Sequence, residues 1–349
     1  MKKRLTKLLG IITLSLAVVP NISQAISFSN IFFLGDSLSD VGNLFTATST
    51  TLPVPLPQDP PYYQGRFSDG PNFTEYLWQR LGMPGALTPS FTGGNNFAVG
   101  GARARYHVFD VSDPTFNPLF DTTAYPAFTL LGQRDLLLTR YGGVLDQAAL
   151  YTVWIGSNDV ADAFEALAGG ASPAFVNALL LQSANDIAAV IGDLVGAGAH
   201  KLLVPNVPNL GLVPEVLALP PALGASAIAT GLSQAFNGMI DNLLAGIGAE
   251  FIRLDTFQFL TDLATDPTLF DLPAGTNVTT PCFTGFVGQS GAVCSNPEEH
   301  VFWDEIHPSA VTHALLGELA AKAVPEPGSI ALIGVGFAAF GFARRRMAA

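Results

Sequence analysis

The stretch 150–159 has the sequence LYTVWIGSND, an apolar run that ends in glycine and polar residues. Both faces of residues 150–155 are apolar, and β-branched and aromatic side chains are frequent, which is typical of a strand covered on both sides. Apolar runs of similar length occupy 31–34, 201–205 and 251–254. We therefore predict four buried strands.

Segments with the helical spacing of apolar residues lie between and after these runs. They predict helices over 73–81, 127–141, 173–195, 222–248 and 309–323. The Pro-rich segment 46–71 instead predicts an ordered surface loop without regular helix or central strand. Strands that alternate with helices indicate an α/β fold, in which a parallel sheet binds ligands at the carboxyl ends of its strands.

Four short motifs carry chemically useful side chains. They are GDSLSD at 35–40, NFAVGG at 96–101, GSND at 156–159 and DEIHP at 304–308. The motifs at 35–40 and 156–159 directly follow predicted strands, so we expect them to share one crevice. Together the four supply a hydroxyl, an imidazole, a carboxylate and oxyanion donors, which are the groups that ester hydrolysis needs.

Ser37 is the candidate nucleophile, and His307 is the candidate general base. A serine hydroxyl is a weak nucleophile unless a base takes its proton, and Asp304 is placed to orient the imidazole of that base. Each residue also has a structural interpretation when taken alone. Ser37 would then be a helix cap, and His307 would lie in a surface turn before a helix.

Asn158 and Gly101 are the candidate oxyanion donors. Asn158 would offer its side-chain amide and Gly101 its backbone N–H, with the N–H of Ser37 as a third donor. In isolation, a turn asparagine and a flexible loop glycine would be the favoured interpretations of these residues.

In combination and in this order, the four motifs resemble the SGNH family of GDSL-type esterases and lipases, over nearly all of 28–310. The resemblance implies the catalytic and oxyanion roles given above. Alignment from Asn96 favours Gly101 over Gly100 as the backbone donor. The implied fold is a three-layer α/β/α sandwich with a central parallel sheet, of flavodoxin-like type.

Further similarity at 40–43, 65–71 and 204–208 is shared with the bacterial branch that includes secreted phospholipases and lecithinase-like acyltransferases. Three polar residues in these loops are interpreted as scaffolding: Asp40, Asn43 and Arg66. Three aromatic residues are equally consistent with lining an apolar acyl pocket and with packing the Pro-rich loop onto the core: Tyr62, Tyr63 and Phe67.

The N-terminal segment has the three regions of an export signal. Residues 2–7 are basic, 8–19 are apolar, and Ser23-Gln24-Ala25 offers a small-residue cleavage site. The apolar run is short for a membrane anchor, which needs about 20 residues. We therefore predict a signal peptide over 1–25, followed by the catalytic domain over 26–323.

The C-terminal segment 324–349 resembles the PEP-CTERM sorting signal of Gram-negative bacteria that produce exopolysaccharide. Pro-Glu-Pro at 325–327 precedes an apolar run at 330–343 and an arginine cluster at 344–346. The resemblance implies contact with export and sorting machinery, and membrane contact through a transmembrane helix before processing. A plain C-terminal anchor or a docked amphipathic helix is the alternative. The expected location is periplasmic, cell-surface or extracellular.

The charge of the chain excludes one class of partner. Residues 26–323 hold 9 Lys and Arg against 27 Asp and Glu, a net charge of −18. A surface this acidic repels phosphate backbones, so we expect no nucleic-acid partner.

Cys282 and Cys294 are the two cysteines of the chain. In an exported protein we expect them to form one disulfide, with two free thiols as the alternative. Two thiolates without a nearby histidine cluster do not supply four ligands, so we expect no metal. The predicted chemistry requires no cofactor.

These features predict an exported serine esterase or lipase that hydrolyses carboxylic esters through an acyl-enzyme on Ser37. Acyl transfer to an alcohol would use the same residues, and a non-catalytic surface protein that retains the fold is a further alternative. The motifs do not choose among a glycerolipid, a phospholipid, an acetylated polysaccharide and a short soluble ester. The expected partner is therefore an ester of a lipid or of an acylated polymer.

Overall fold

The computed structural model describes residues 28–105 and 128–324. The predicted signal peptide over 1–25 lies outside these residues, as does the sorting segment beyond residue 324. Both domain boundaries therefore stay predictions.

Four strands form one parallel sheet in the order β1-β2-β3-β4. They are Ile31–Gly35 (β1), Leu150–Trp154 (β2), Lys201–Pro205 (β3) and Phe251–Leu254 (β4). Asn96 adds an isolated parallel bridge to Phe33 of β1. The strands agree with the predicted ones to within one residue, and the predicted parallel sheet is confirmed.

The helices of the described residues connect and cover these strands. They are Asn43–Thr48 (α1), Phe73–Arg80 (α2), Leu130–Arg140 (α3), Ser157–Ala168 (α4), Pro173–Ala197 (α5), Pro214–Leu217 (α6), Ala225–Ala245 (α7), Thr256–Thr265 (α8) and Ala310–Ala323 (α9).

Helices cover both faces of the sheet, because successive strand residues are apolar on opposite sides. On one face, Leu34 and Val153 join the main core with residues of α3, α4, α5 and α7. On the other face, the rings of Phe33 and Trp154 pack edge-on against Phe73 of α2, and α2 packs on α9. The three-layer α/β/α architecture is therefore confirmed.

Polar side chains fix where several helices begin. Asn72 and Glu75 form a reciprocal capping box at the start of α2, and Ser172 caps α5. The hydroxyl of Thr129 accepts the N–H of Gly132, so α3 begins after that cap rather than at the predicted residue 127. A side-chain oxygen satisfies an N–H that has no partner within the helix, and this sets the first turn.

The loop prediction over 46–71 is wrong in its first three residues, which belong to α1. The carboxylate of Asp40 accepts the N–H groups of Gly42, Asn43 and Leu44 and so nucleates this helix. The prolines that forbid a helix start only at Pro53. Three more helices, α4, α6 and α8, were not predicted.

Within the described ranges, α5 is the one helix that is long and apolar enough to cross a membrane. Its buried residues, including Val176, Leu180 and Ile187, belong to the main core. We therefore interpret α5 as a core helix. The transmembrane helix predicted for the tail lies outside the described residues.

Candidate active site

Ser37, His307 and Asp304 form a continuous chain of hydrogen bonds. Ser37 Oγ lies 2.9 Å from His307 Nε2, and His307 Nδ1 lies 2.7 Å from Asp304 Oδ2. All three side chains are buried. Ser37 lies two residues after the end of β1, and the other two precede α9, so the fold joins residues that are 270 positions apart. With Nδ1–H donating to Asp304, Nε2 is free to accept the serine proton.

Backbone and side-chain donors hold the Asp304 carboxylate in place. Its Oδ1 accepts the N–H groups of Ile306 and His307, at 3.0 and 2.8 Å. Its Oδ2 accepts the hydroxyl of Tyr62 at 2.5 Å, in addition to His307. Burial and the negative charge of Asp304 raise the pKa of Tyr62, so this hydroxyl keeps its proton and remains a donor. These three donors hold the Asp304 carboxylate in one position, and from that position it orients the imidazole of His307.

Aromatic rings enclose the imidazole of His307. Phe67 lies 5.1 Å from it and Phe286 stacks on it at 6.0 Å, measured between ring centroids. Tyr62 packs edge-on against Phe67. Of the two interpretations of these aromatics, packing is therefore the one that the structure shows for Tyr62 and Phe67. They pack against the hydrogen-bonded pair of His307 and Asp304.

The glycine pair at 100–101 divides into two roles. The N–H of Gly100 donates to the carboxylate of Asp40 at 2.8 Å and is not available to a substrate. A Cβ atom at residue 100 would lie 2.1 Å from the ring of Phe67, so a residue with a side chain does not fit at this position. Gly101 has φ +76°, a conformation that favours glycine, and its N–H has no acceptor among the described residues. Of the two, Gly101 is the candidate oxyanion donor.

Asn158 lies at the start of α4, at the carboxyl end of β2. Its Nδ2 donates to the carbonyl of Ala102 at 2.8 Å, which orients the amide. An amide nitrogen carries two hydrogens, so one is left for a ligand. Arg103 binds Asp162 and donates to the carbonyl of Gly101 at 3.0 Å, so it ties the glycine to α4. The two candidate donors are thus held as one unit.

Asp36 is a buried acid directly before Ser37, the candidate nucleophile. Its Oδ1 accepts the N–H of Leu38, whereas its Oδ2 has no hydrogen-bond partner in the described part of the chain. Burial raises the pKa of Asp36 to about 7, although the Leu38 N–H and nearby His307 lower it. Below about pH 7, this buried carboxyl group therefore holds a proton.

A cavity of about 200 Å³ opens beside Ser37 and His307. Helices α4, α6, α8 and α9 supply much of its apolar wall: Val160, Phe164, Val216, Phe259, Leu260 and Leu316. Asn158 also lines it, and Glu165 and Glu215 are exposed polar residues at its edge. Ser37 therefore faces a mainly apolar space of limited size.

The sequence matches the family described as GDSL-like Lipase/Acylhydrolase over residues 31–320, most of the chain. The chain belongs to this family. As a GDSL-type esterase or lipase, it is a carboxylic ester hydrolase. Residues 323–346 match the PEP-CTERM protein-sorting motif, which indicates export and sorting in a Gram-negative bacterium. The predicted signal peptide stays a prediction.

Several relatives of this GDSL-type hydrolase match it over most of their length. The phosphatidylcholine-sterol acyltransferase of Aeromonas hydrophila is 25% identical over 92% of this chain and 96% of its own. Acetylajmalan esterase 1 of Rauvolfia serpentina is 29% identical over 86% of each chain. A solved catalytic mutant of an acetylxylan esterase from Geobacillus stearothermophilus has a TM-score of 0.43 and 12% identity, over 85% of this chain and 94% of its own.

Sequence reasoning assigned Tyr62 to packing or to an acyl pocket and missed its hydrogen bond to Asp304, and it missed Arg103 altogether. Tyr62 lies in the Pro-rich loop, and the sequence carries no signal that links it to Asp304, 242 positions away. Arg103 follows the NFAVGG motif by two residues, and no local pattern marks it as part of the site. Asp40 and Asn43 act as scaffolding: Asn43 Nδ2 donates to the carbonyls of Asn96 and Ala98, so it joins two motifs.

The structure joins Cys282 and Cys294 in a disulfide. His300 Nδ1 lies 3.6 Å from the Cys294 sulfur, so the three residues are close enough to resemble a metal site. Because the sulfur atoms are bonded to each other, they offer no thiolate. The disulfide packs with Tyr62 and Trp303 and so supports the loop behind Asp304.

Proposed function

We propose that this protein hydrolyses carboxylic esters through an acyl-enzyme on Ser37. The observation that supports this most strongly is the 2.9 Å contact between Ser37 Oγ and His307 Nε2, continued at 2.7 Å to Asp304. A hydroxyl, a base and a buried carboxylate in this order are the parts of a serine hydrolase. They lie beside an apolar cavity large enough for part of a substrate.

In the first half of the reaction, His307 takes the proton of Ser37 as the oxygen attacks the ester carbon. The former carbonyl oxygen becomes negative, and the N–H groups of Gly101 and Ser37 and the amide of Asn158 donate to it. Asp304 stabilises the imidazolium without taking its proton. The imidazolium then protonates the leaving alcohol, and the acyl group stays on Ser37.

In the second half, a water molecule replaces the alcohol. His307 takes a proton from this water, the resulting hydroxide attacks the acyl carbon, and the same donors hold the oxyanion. Collapse of the intermediate returns the proton to Ser37 and releases the acid. The enzyme ends the cycle in its starting state.

The acyl chain of the substrate is proposed to lie in the cavity between α4, α6, α8 and α9. Its wall is mainly apolar, and burying methylene groups against it is favourable by about 0.8 kcal/mol each. A cavity of about 200 Å³ has a limited capacity, so very long chains would extend beyond it. A series of p-nitrophenyl esters of increasing acyl length tests this, because the rate should rise and then level off or fall.

Two serine variants test the catalytic proposal. Ser37→Ala should abolish turnover of a short p-nitrophenyl ester. Ser39→Ala is the matched control, because Ser39 is also buried, lies two residues away, and has no partner for its hydroxyl in the described structure. Full turnover by Ser37→Ala would refute the assignment, and loss of turnover in both variants would indicate damage to the loop.

Acyl transfer to an alcohol is the second candidate, because one relative is named as a phosphatidylcholine-sterol acyltransferase. The same acyl-enzyme would then react with an alcohol in place of water. Hydrolysis is the better-supported function, since the family is described as GDSL-like Lipase/Acylhydrolase and one of the relatives given above is named as an esterase. Product analysis with a sterol present separates the two outcomes.

The proposed location is outside the cytoplasm, at the cell surface or beyond it. The PEP-CTERM motif at 323–346 supports sorting after export. An acylated surface polymer or a lipid is therefore the proposed class of ester. Cell fractionation with an antibody to the catalytic domain tests the compartment.

A further inference from the structure

An exposed apolar loop lies at the edge of the cavity. Residues 218–224 have the sequence ALPPALG, and all seven are exposed. Leu219 and Leu223 are 37% and 61% exposed, and Ile228 in the first turn of α7 is 38% exposed. Exposed leucines are common singly, but a run of apolar residues beside a ligand cavity indicates a contact surface. We use the name apolar loop for residues 218–228, which comprise the connection after α6 and the first turn of α7.

The apolar loop is continuous with the cavity beside Ser37. Leu219 is exposed on the loop and also lines the cavity, together with Val216 before it and Ala229 after it. The N–H of Glu215 donates to the carbonyl of Glu305, which ties the start of this region to the segment that carries His307. A group leaving an apolar surface through this loop therefore enters the cavity next to the nucleophile.

The loop lacks charge in a chain that is otherwise acidic. No Asp, Glu, Lys, Arg or His occurs from residue 216 to residue 240, whereas residues 26–323 carry a net charge of −18. The exposed loop also lacks Trp, Tyr and Arg, the side chains that dominate protein–protein contacts. A neutral apolar surface fits this composition, and an anionic surface would be repelled by the rest of the protein.

The loop is held in shape by its own backbone. The N–H of Leu223 donates to the carbonyl of Pro220, and that of Gly224 donates to Pro221. Two consecutive prolines restrict the same turn further. The apolar side chains are thus presented with little conformational entropy left to lose on binding.

We propose that the apolar loop docks this enzyme on an electrically neutral lipid surface, such as phosphatidylcholine, and so places the cavity entrance against the ester. The proposal rests on the proposed ester hydrolysis and adds the physical state of the substrate. If it is correct, substitutions in the apolar loop lower the activity on an ester embedded in lipid and leave the activity on a soluble ester unchanged.

The test compares one double variant and one single variant of the full chain. Leu223→Asp combined with Ile228→Asp places charge on the loop without altering the residues that line the cavity. Val144→Asp is the matched control, because Val144 is 75% exposed and precedes the amino end of β2, whereas Ser37 follows the carboxyl end of the neighbouring strand β1. The rate on a long-chain ester in phosphatidylcholine vesicles is divided by the rate on a soluble short ester.

The loop variant should lower this ratio by about 10- to 100-fold, since two apolar side chains no longer enter the lipid. Val144→Asp should leave the ratio unchanged, and anionic lipid in the vesicles should lower it for the wild type. An equal ratio in all proteins would overturn the proposal. A large fall in the melting temperature of the loop variant would also overturn it, because it would show that Leu223 and Ile228 pack against the protein itself and are not available to a lipid surface.

A fluorescent label gives a readout that does not depend on activity. An environment-sensitive dye attached after Leu223→Cys should shift to the blue on phosphatidylcholine vesicles, and the same dye after Val144→Cys should not. A shift at both positions or at neither contradicts docking through this loop. Absence of soluble-ester turnover in the wild type would refute ester hydrolysis itself, and the dye would still test the docking.

Discussion

The hydroxyl of Tyr62 is expected to stabilise both the fold and the catalytic geometry through one hydrogen bond. It donates to Asp304 Oδ2 at 2.5 Å, and that oxygen also accepts Nδ1–H of His307. The variant Tyr62→Phe removes the hydroxyl and keeps the ring, which packs edge-on against Phe67, Phe283 and Trp303. It therefore tests the hydrogen bond without opening a cavity.

The size of the effect follows from the charge and the burial of Asp304. A hydrogen bond to a charged group contributes about 1.5–3 kcal/mol, and Asp304 has no exposed surface through which water could replace it. We expect the free energy of unfolding to fall by about 2 kcal/mol at neutral pH. If roughly 1.4 kcal/mol of positioning free energy is also lost in the transition state, kcat falls about tenfold.

Urea unfolding and steady-state hydrolysis of a soluble ester measure the two effects. Tyr63→Phe is the control, because Tyr63 is the next residue and its ring lies 5.8 Å from the guanidinium of Arg66, a contact that the variant keeps. The reasoning is refuted if Tyr62→Phe matches Tyr63→Phe within about 0.5 kcal/mol in stability and within about twofold in kcat.

Three further variants test separate parts of the site and core. Asn158→Ala should lower kcat by about 10²–10³ with an unchanged circular dichroism spectrum, and a near-normal kcat would remove Asn158 from the oxyanion hole. Burial raises the pKa of Asp36 to about 7, so the folded protein holds a proton that the unfolded chain has released, and stability falls as pH rises from about 4 to 7. The variant Asp36→Asn does not titrate there, so its free energy of unfolding should rise relative to that of the wild type by roughly 1.4 kcal/mol per pH unit across this window. Urea unfolding measures the difference, and a difference that stays constant with pH would contradict the prediction. Burial also lowers the pKa of His313 to about 3, so between about pH 6.5 and pH 5 only the unfolded chain takes up this proton. The free energy of unfolding of the wild type should therefore fall by about 2 kcal/mol as the pH falls across this range. His313→Asn should flatten that slope, and an unaltered slope would show that His313 is not its source.

Elements with strong local signals could be predicted from the sequence. The four strands are short apolar runs with clear ends, and α5 has a Ser-Pro start and a glycine stop. Helix α4 was missed because its first residues coincide with the GSND motif, which is interpreted by its chemistry and not by its helical spacing. Helix α8 follows β4 without a break and is capped by Asp255, a signal that was present and not used.

The candidate site was predictable where a motif contains the reacting groups, and not where a side chain acts across the fold. Ser37 and His307 were both chosen from local motifs, and the structure brings them together. The preference for Gly101 over Gly100 came from alignment, whereas its physical reason is that Asp40 occupies the other N–H. The hydrogen bond from Tyr62 to Asp304 could not be predicted, because the two residues are 242 positions apart and meet only after folding.

Covalent trapping of the nucleophile tests the central claim most directly. The wild-type protein is treated with a fluorophosphonate, digested and examined by mass spectrometry. We expect one adduct on the peptide that contains Ser37, and no adduct in the variant His307→Ala, because the serine then has no base. An adduct on a different serine, or an equally rapid adduct without His307, would contradict the account.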